Sequence, residues 1–474
     1  MKSFKFILAI LFFSSLSWSA NAIQDEKKWA EIYEIIDNIK EPVFQDQTFN
    51  IVDFGAKADG ITLDTEAIQT AIDKCSKAGG GTVLVPAGTY LTGAIHLKNN
   101  VNFHVAEDAV LKFSTNPDDY LPLVQTRWEG NDVFNYSPLI YANGQNNFAV
   151  TGKGTIDGQG SSENWWPWKG SSQYGWKEGM GSQLDEGSGR PALDKWESEE
   201  APLFERQAGE GFYLRPQFIS FINCTSVKIE DIKIINSPFW VVHPILSKDV
   251  ICRGIHIESL GPNSDGFDPE SCKNVLVENC IFDTGDDCIA IKSGRNSDGR
   301  KPNIPTENML IRDCKMIEGH GGVVIGSEIS GGARNIFAEN CVMSSPDLDR
   351  AIRLKTNNHR GGVTDGLYVR NIEVGQVKDA VIRINCSYDP SEGQGNYPPM
   401  VRNVYISNIT ADMTGKTPAK YGLRLEGIVG ENAVENIYIS DCTFNGVEKV
   451  SQIQDVKNLH LENVIINGKK VDLK

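Results

Sequence analysis

The chain has 474 residues, 40% of them hydrophobic, and a formal net charge of −16. That is ample apolar material for a large core, and the acidic balance argues against nucleic acid or an anionic membrane surface as a partner. The length would suit two or three ordinary domains or one elongated repeat domain, and by itself does not choose.

Residues 1–22 have the make-up of a secretory signal peptide. Lys2 and Lys5 precede an apolar run from Phe6 to Phe13, and Ala20-Asn21-Ala22 ends in small residues suited to cleavage. The mature chain is expected to begin at Ile23, and losing the two lysines takes the charge from −16 to −18. No later stretch is apolar for long enough to span a bilayer, and no cysteine follows the cleavage site. A soluble exported protein, periplasmic or extracellular, is expected, with no membrane insertion.

Residues 23–45 should form an amphipathic helix and a linker, with Trp29, Ile32, Ile36 and Ile39 on one face that docks against the main body. Residues 46–474 are expected to be one domain. Its first strands run from Phe49 to Gly55 and from Thr82 to Tyr90, around a helix from Asp64 to Ala78. Ile68, Ala71, Ile72 and Cys75 share one face of that helix, Asp64 is its expected N-cap, and it should cover an open end of the domain. Between about 170 and 211 the chain turns polar, glycine-rich and unpatterned, as a long inserted loop would.

From about residue 226 a short phrase recurs: Asn274-Val-Leu-Val-Glu-Asn-Cys280, Asn308-Met-Leu-Ile-Arg-Asp-Cys314 and Asn335-Ile-Phe-Ala-Glu-Asn-Cys341, with weaker copies at Asn403, Asn436 and Asn458. Apolar residues alternate within each copy, which is strand periodicity. The copies are too closely spaced for a helical crossover in every repeat, and Asn, Gly and Asp mark the junctions as turns. A parallel β-helix satisfies these constraints, with equivalent residues stacked along the axis at about 4.8 Å. A β-sandwich would not be expected to repeat the phrase. Cys280, Cys314, Cys341 and Cys442 occupy the repeat position held elsewhere by Ile372, Ile409 and Val464, so they read as buried hydrophobes rather than bridges. Cys272 and Cys288 stay open to a local disulfide.

Four polar motifs stand out: Asn263-Ser264-Asp265, Gly285-Asp286-Asp287, Gly319-His320-Gly321 and Arg353-Leu354-Lys355. Asp265 and Asp286 are 21 residues apart, close to one coil, and Gly285 could supply the bend that turns both neighbouring aspartates towards one groove. Clustered carboxylates cannot all ionise independently, so one keeps its proton. Such a set suits inverting glycoside hydrolysis, in which acid and base stand about 6.5–9.5 Å apart. Arg353 and Lys355, two apart on a strand, share a face and would bind a sugar carboxylate, which makes the expected substrate a uronic acid.

In this order and at these spacings the motifs resemble the polygalacturonases of glycoside hydrolase family 28, in the bacterial exo-acting branch. Asp53-Phe-Gly-Ala56, Gly79-Gly-Gly-Thr82, Pro86-Ala-Gly-Thr-Tyr90 and Ser237-Pro-Phe-Trp240 extend the likeness over nearly the whole mature chain. The resemblance implies an all-β, single-stranded right-handed parallel β-helix of the pectin-lyase-like kind with an N-terminal capping helix. It implies catalytic residues Asp286 as general acid, Asp265 and Asp287 as bases, and His320 tuning or relaying protons beside the acid. Substrate contacts would come from Arg353, Lys355, Asn263, Lys292 and Tyr388, acting on pectic polysaccharide or oligogalacturonides with no metal and no cofactor. Lys292, Arg127-Trp128-Glu129-Gly130 and Trp165, Trp166 and Trp168 point to attack at a chain end. Glu129 and Glu328 are possible sugar contacts outside the core set, and the three tryptophans suit ordinary packing better than sugar stacking. Three alternatives remain: a hydrolase of the rhamnose-galacturonate backbone, a pectate lyase, and a noncatalytic glycan-binding solenoid.

Overall fold

Each copy of the asparagine phrase closes one coil of a solenoid. The computed structural model describes residues 25–390 and 395–471, so the signal peptide and Ile23 lie outside the described residues. Phe103, Val150, Ile229, Cys252, Val277, Ile311, Ala338, Val369, Ile406 and Ile439 stand one above the next in parallel register. The result is a right-handed parallel β-helix, the hand that parallel crossovers take in nearly all proteins. Its coils have three walls. Two belong to one 25-stranded sheet, and the third is divided between a four-stranded and a six-stranded sheet joined by bridges from Phe267 to Val242 and Ile289.

The repeated asparagines are there for two reasons. Asn274, Asn308, Asn335, Asn403, Asn436 and Asn458 all hold φ between 50° and 58°, a left-handed conformation that asparagine tolerates better than most residues. Their amides also form ladders along the axis: Asn308 donates to Asn274 at 3.2 Å, Asn335 to Asn308 at 3.2 Å, and Asn458 to Asn436 at 3.0 Å. All ten cysteines are free and buried. The strands after Cys280, Cys314 and Cys341 pair in register, and Ile372 pairs with Ile409, so the thiols form part of a continuous apolar stack. Cys272 and Cys288 are separate thiols as well.

Near the N-terminus the elements are shorter than the sequence suggests. Phe49 lies in the strand Thr48–Asn50, and the chain then enters a 3-10 turn, Ile51–Phe54, because the Asn50 side chain accepts from Val52 N. The stretch from Thr82 to Tyr90 is split into Gly81–Val85 and Gly88–Thr92, on two different walls. The helix Thr65–Lys77 buries Ile68, Ala71, Ile72 and Cys75 against the first coils. Asp64 precedes it, but its carboxylate accepts from Lys57 N at 2.9 Å instead of capping a helix amide. Another helix, residues 25–37, lies along the outside of a wall, where Trp29, Ile32 and Ile36 pack on Ile251, Leu276, Leu310, Phe337 and Tyr368.

The insertion is not patternless. It contains the helix Gly189–Ser198, whose Leu193 is buried with Trp128, Val133, Leu214 and Phe239. Trp128 and Val133 come from an antiparallel hairpin, Val124–Trp128 with Asn131–Asn135. Trp165 is buried edge-on to Tyr120 and Trp168, and the Trp166 indole donates to Ser237 O at 3.0 Å, so these side chains support the insertion.

Outward-facing side chains of the third wall line up in columns parallel to the axis. One column runs Ala290, Val324, Arg353, Arg383, Arg424, and the next runs Lys355, Asn385, Glu426. Towards the N-terminus the same wall is covered. Tyr141, Ser220 and His243 are buried there, and Arg127 from the hairpin meets the buried Glu270 at 3.0 Å while His243 meets it at 2.8 Å. The groove is therefore closed at one end.

Candidate active site

Three successive turns between the second and third walls bring the motifs together. Gly266 N donates to Asp287 O at 3.0 Å, Cys288 N to Gly321 O at 2.8 Å, and His320 N to Asp286 O at 3.1 Å, so the turns stack directly. Gly285 serves this stacking by lacking a side chain. Its φ is not positive, but a Cβ there would lie 2.2 Å from Gly261 O in the turn below. Gly321 plays the same part above, where a Cβ would lie 2.4 Å from the Val324 side chain and 3.2 Å from Asp287 Oδ1.

One carboxyl oxygen from each of Asp265, Asp286 and Asp287 falls within 4.8 Å of the other two. The trio is tighter than the 6.5–9.5 Å expected for an acid and base in inversion. Depth separates them instead. Asp265 and Asp287 are 3% and 0% exposed, whereas Asp286 lies nearer the surface beside the half-exposed His320.

Their charges differ as sharply. Burial, with Asp286 as a second cause, pushes the Asp265 carboxyl up to about 7, so near neutrality both its protonated and its ionised forms are populated. Burial acts in the same direction on Asp286, but the His320 ring at 2.8 Å, helped by Lys355 and Lys292, outweighs it and holds that carboxyl well below its usual range. His320 in turn is raised to about 9, mainly by Asp286. A proton is thus stored between His320 Nδ1 and Asp286 Oδ1. Asp287 is kept ionised despite its burial by Lys355 Nζ at 2.7 Å and Arg353 Nη1 at 3.3 Å. The positive charge that three clustered carboxylates call for is supplied by these side chains.

The sequence-predicted contact residues all reach this neighbourhood. Arg353 and Lys355 stand 5.5 Å and 5.3 Å from the Tyr388 ring. Lys292 is 2% exposed, with its ammonium 4.3 Å from the Trp240 ring and bonded to three carboxylates: Glu328 at 3.1 Å, Asp265 at 3.4 Å and Asp268 at 3.5 Å. Its place is an electrostatic hub under the pocket more than a free ligand for sugar. Asn263 is oriented by two cations. Its Oδ1 accepts from Lys169 and from Arg215, each at 2.9 Å, which leaves the amide NH2 free to donate into the pocket.

Several residues escaped the sequence reading. Asp268 is fully buried and its carboxyl is raised well above the ordinary range by burial and then by Asp265, making it a neutral acid under the trio. Its position three residues after Asp265 was the one available signal. Arg215, Lys169 and Arg190 have no local signature, because they come from the insertion and the segments that flank it. The pocket has a volume of about 440 Å³, within the range of small-ligand sites. Its rim includes Glu129, bonded to Arg190 at 3.0 Å and to Arg295 at 3.5 Å, together with Glu328 and Arg360. Lysines and arginines outnumber carboxylates on its walls, against the negative charge of the whole chain. A cationic, single-ended, polar pocket over a proton-loaded carboxylate cluster is built to receive the end of an anionic sugar chain and break a bond to it.

The model for glycosyl hydrolases family 28 matches residues 186–462, and that for the rhamnogalacturonase A/epimerase, pectate lyase-like group matches residues 48–116. A solved hyperthermoactive exopolygalacturonase from Thermotoga maritima is 44% identical with a TM-score of 0.88, over 94% of this chain and 96% of that one. A probable polygalacturonase of Vitis vinifera is 30% identical over 85% of this chain and 75% of its own length. An exo-poly-alpha-D-galacturonosidase of Dickeya chrysanthemi is 27% identical over 89% of this chain and 71% of its own.

Proposed function

Because this chain belongs to family 28 of the glycosyl hydrolases, we propose that it hydrolyses α-linked galacturonate in pectin from a chain end, inverting the anomeric carbon. The observation that carries this reading is the groove over the third wall, closed at its N-terminal end by the hairpin and insertion, with the aspartate trio beside its floor. Attack at a chain end follows from that closure. Inversion follows from depth: the buried Asp265 and Asp287 reach a sugar carbon only through a small molecule, so water and not a carboxylate forms the new bond.

In this mechanism Arg353 and Lys355 hold the sugar carboxylate, and the Asn263 amide donates to a sugar oxygen. Asp286 passes the proton it shares with His320 to the leaving glycosidic oxygen as the C–O bond breaks. The ionised Asp287 takes the proton from water as the water oxygen joins the anomeric carbon, and Asp265, ionised in part near neutrality, helps to orient that water. The leader-like residues 1–22 support action outside the cytoplasm, in the periplasm or beyond the cell.

Product analysis on polygalacturonate tests the proposal. Monogalacturonate should appear from the earliest times as the β-anomer by NMR, while viscosity falls slowly. An initial α-anomer would refute inversion, early mid-length oligomers would refute end attack, and a product with an ultraviolet-absorbing double bond would make the enzyme a lyase.

The pH profile supplies a second check. His320 is raised from 6.5 to about 9, so its proton, and whatever stability its partner confers, is fully present below about 6.5 and lost as pH rises towards 9. Asp286 is depressed, so its part of the pair is lost only as pH falls below the usual aspartate range. The alkaline limb of kcat/KM therefore belongs to the pair, and His320→Gln should move it to lower pH. An unmoved limb would remove His320 from proton storage.

A further inference from the structure

We infer that a second cavity, at the corner where the third wall passes into the 25-stranded sheet, binds a carboxylate of a pectin chain through Arg300 and Arg334, outside the catalytic groove. The source of the anion rests on the proposed pectic substrate; the site itself rests on a separate part of the molecule. The cavity has a volume of about 440 Å³ and shares no lining residue with the active pocket. Arg300 ends the short helix Asn296–Arg300, and Ser330 follows the third-wall strand Val323–Ile325. Arg334 and Arg402 lie on the strands Ala333–Glu339 and Met400–Asp412, and all four residues line the cavity.

Pairing along the sheet leaves this cavity with a surplus of positive charge. One column of positions runs Lys273, Glu307, Arg334, Asp365, Arg402. The alternation of sign would make Arg334 a bridge between two acids, but both acids are engaged elsewhere. Glu307 meets Lys273 at 2.8 Å, while Asp365 meets Arg402 at 2.8 Å and accepts from the Asn403 amide at 2.7 Å. Arg334 is exposed and has no ion pair among the described residues. Arg300 has no carboxylate either. Its guanidinium lies 3.6 Å from the Tyr397 ring and donates through Nη1 to the carbonyls of His359 and Arg360, which fixes its plane and leaves Nε and Nη2 unused. Ser330 is 3% exposed, and its hydroxyl is buried with no hydrogen-bond partner among the described residues, an unfavourable state that a ligand oxygen would relieve. Two available guanidinium edges beside a hydroxyl donor suit an oxyanion, and the planar fork of arginine matches a carboxylate in particular. A neutral glycan would gain nothing from them. A polymer attached here as well as at its reacting end would be held near the pocket at a raised effective concentration.

Equilibrium binding of trigalacturonate to the Asp286→Asn protein, which holds oligomers without cleaving them, tests the site. Two classes of site are expected, the tighter in the active pocket and the weaker at Arg300 and Arg334. Arg300→Gln/Arg334→Gln added to that background should abolish the weaker class and leave the tighter one as it was. Arg334→Gln alone, at an exposed position, should weaken it about three- to fivefold, the range for one screened ion pair. Inorganic phosphate is the competing probe: if it fills the weaker class and trigalacturonate does not, the cavity serves a free oxyanion and the pectin assignment falls. A single class of site in the Asp286→Asn protein, or a weaker class that survives both substitutions, overturns the cavity as a site while leaving the hydrolase reading intact. Loss of the tighter class alone would overturn the hydrolase reading and not the cavity.

Discussion

Asp286→Asn should lower kcat by about 10² to 10⁴-fold, the contribution of general acid catalysis, while leaving the fold and the affinity for oligomers close to wild type. The amide has the size of the carboxyl and can still face His320 Nδ1, but it has no proton to give to a leaving oxygen. His320 should also lose its raised basicity, since Asp286 is the main cause of it, and NMR titration of the ring in the variant would report that directly. A variant with wild-type kcat on polygalacturonate would take the acid role away from Asp286. Substrates with a better leaving group need less protonation, so the defect should shrink on an aryl galacturonide, which distinguishes loss of the acid from general damage to the pocket.

The second large effect is on stability. Lys292→Met removes one cation from among Asp265, Asp268 and Glu328, all within 3.5 Å of it. Breaking a buried ion pair from one side costs about 3–5 kcal/mol, and a clear fall in melting temperature at neutral pH is expected. The sign of its pH dependence is specific. In wild type, Glu328 is held low because Lys292, Arg360 and Lys355 outweigh its burial, so its contribution is present above the ordinary carboxylate range and lost as pH falls. In the variant burial prevails, Glu328 takes a proton more readily, and acid relieves the strain. The gap between the two proteins should therefore narrow on acidification. A gap that widens, or no loss of stability at pH 7, would show that Lys292 is not the hub of the cluster.

The parts of this protein legible in its sequence are those that repeat. A coil cannot change its turn residue or its inward position without disturbing the coil above, so Asn274, Asn308 and Asn335 and the line from Cys280 to Val464 announce the solenoid. Site residues on successive coils inherit that regularity, which is why Asp265, Asp286 and His320 could be brought together from spacing alone. Their distances could not be. The turns stack directly at ordinary hydrogen-bond distance because Gly285 and Gly321 bring no bulk between them, and the trio is accordingly compact. The insertion lay beyond reach for the opposite reason. Arg215, which grips Asn263 from 48 residues away, and Arg127, which meets Glu270 across 143 residues, belong to no repeat. The helix Gly189–Ser198 looked like loop because its short apolar patch becomes meaningful only against Trp128 and Leu214.

The blocked end of the groove also dictates an order of events after cleavage. Among the described residues, the liberated monosaccharide lies towards the closed end of the groove, behind the shortened polymer that still occupies its open end. It cannot depart sideways past Arg127 and Glu270, so the polymer must back out first. Every turnover is then expected to end with enzyme and polymer parted, and digestion to proceed by visiting many strands in turn, trimming each by one unit, instead of threading along a single strand to its finish.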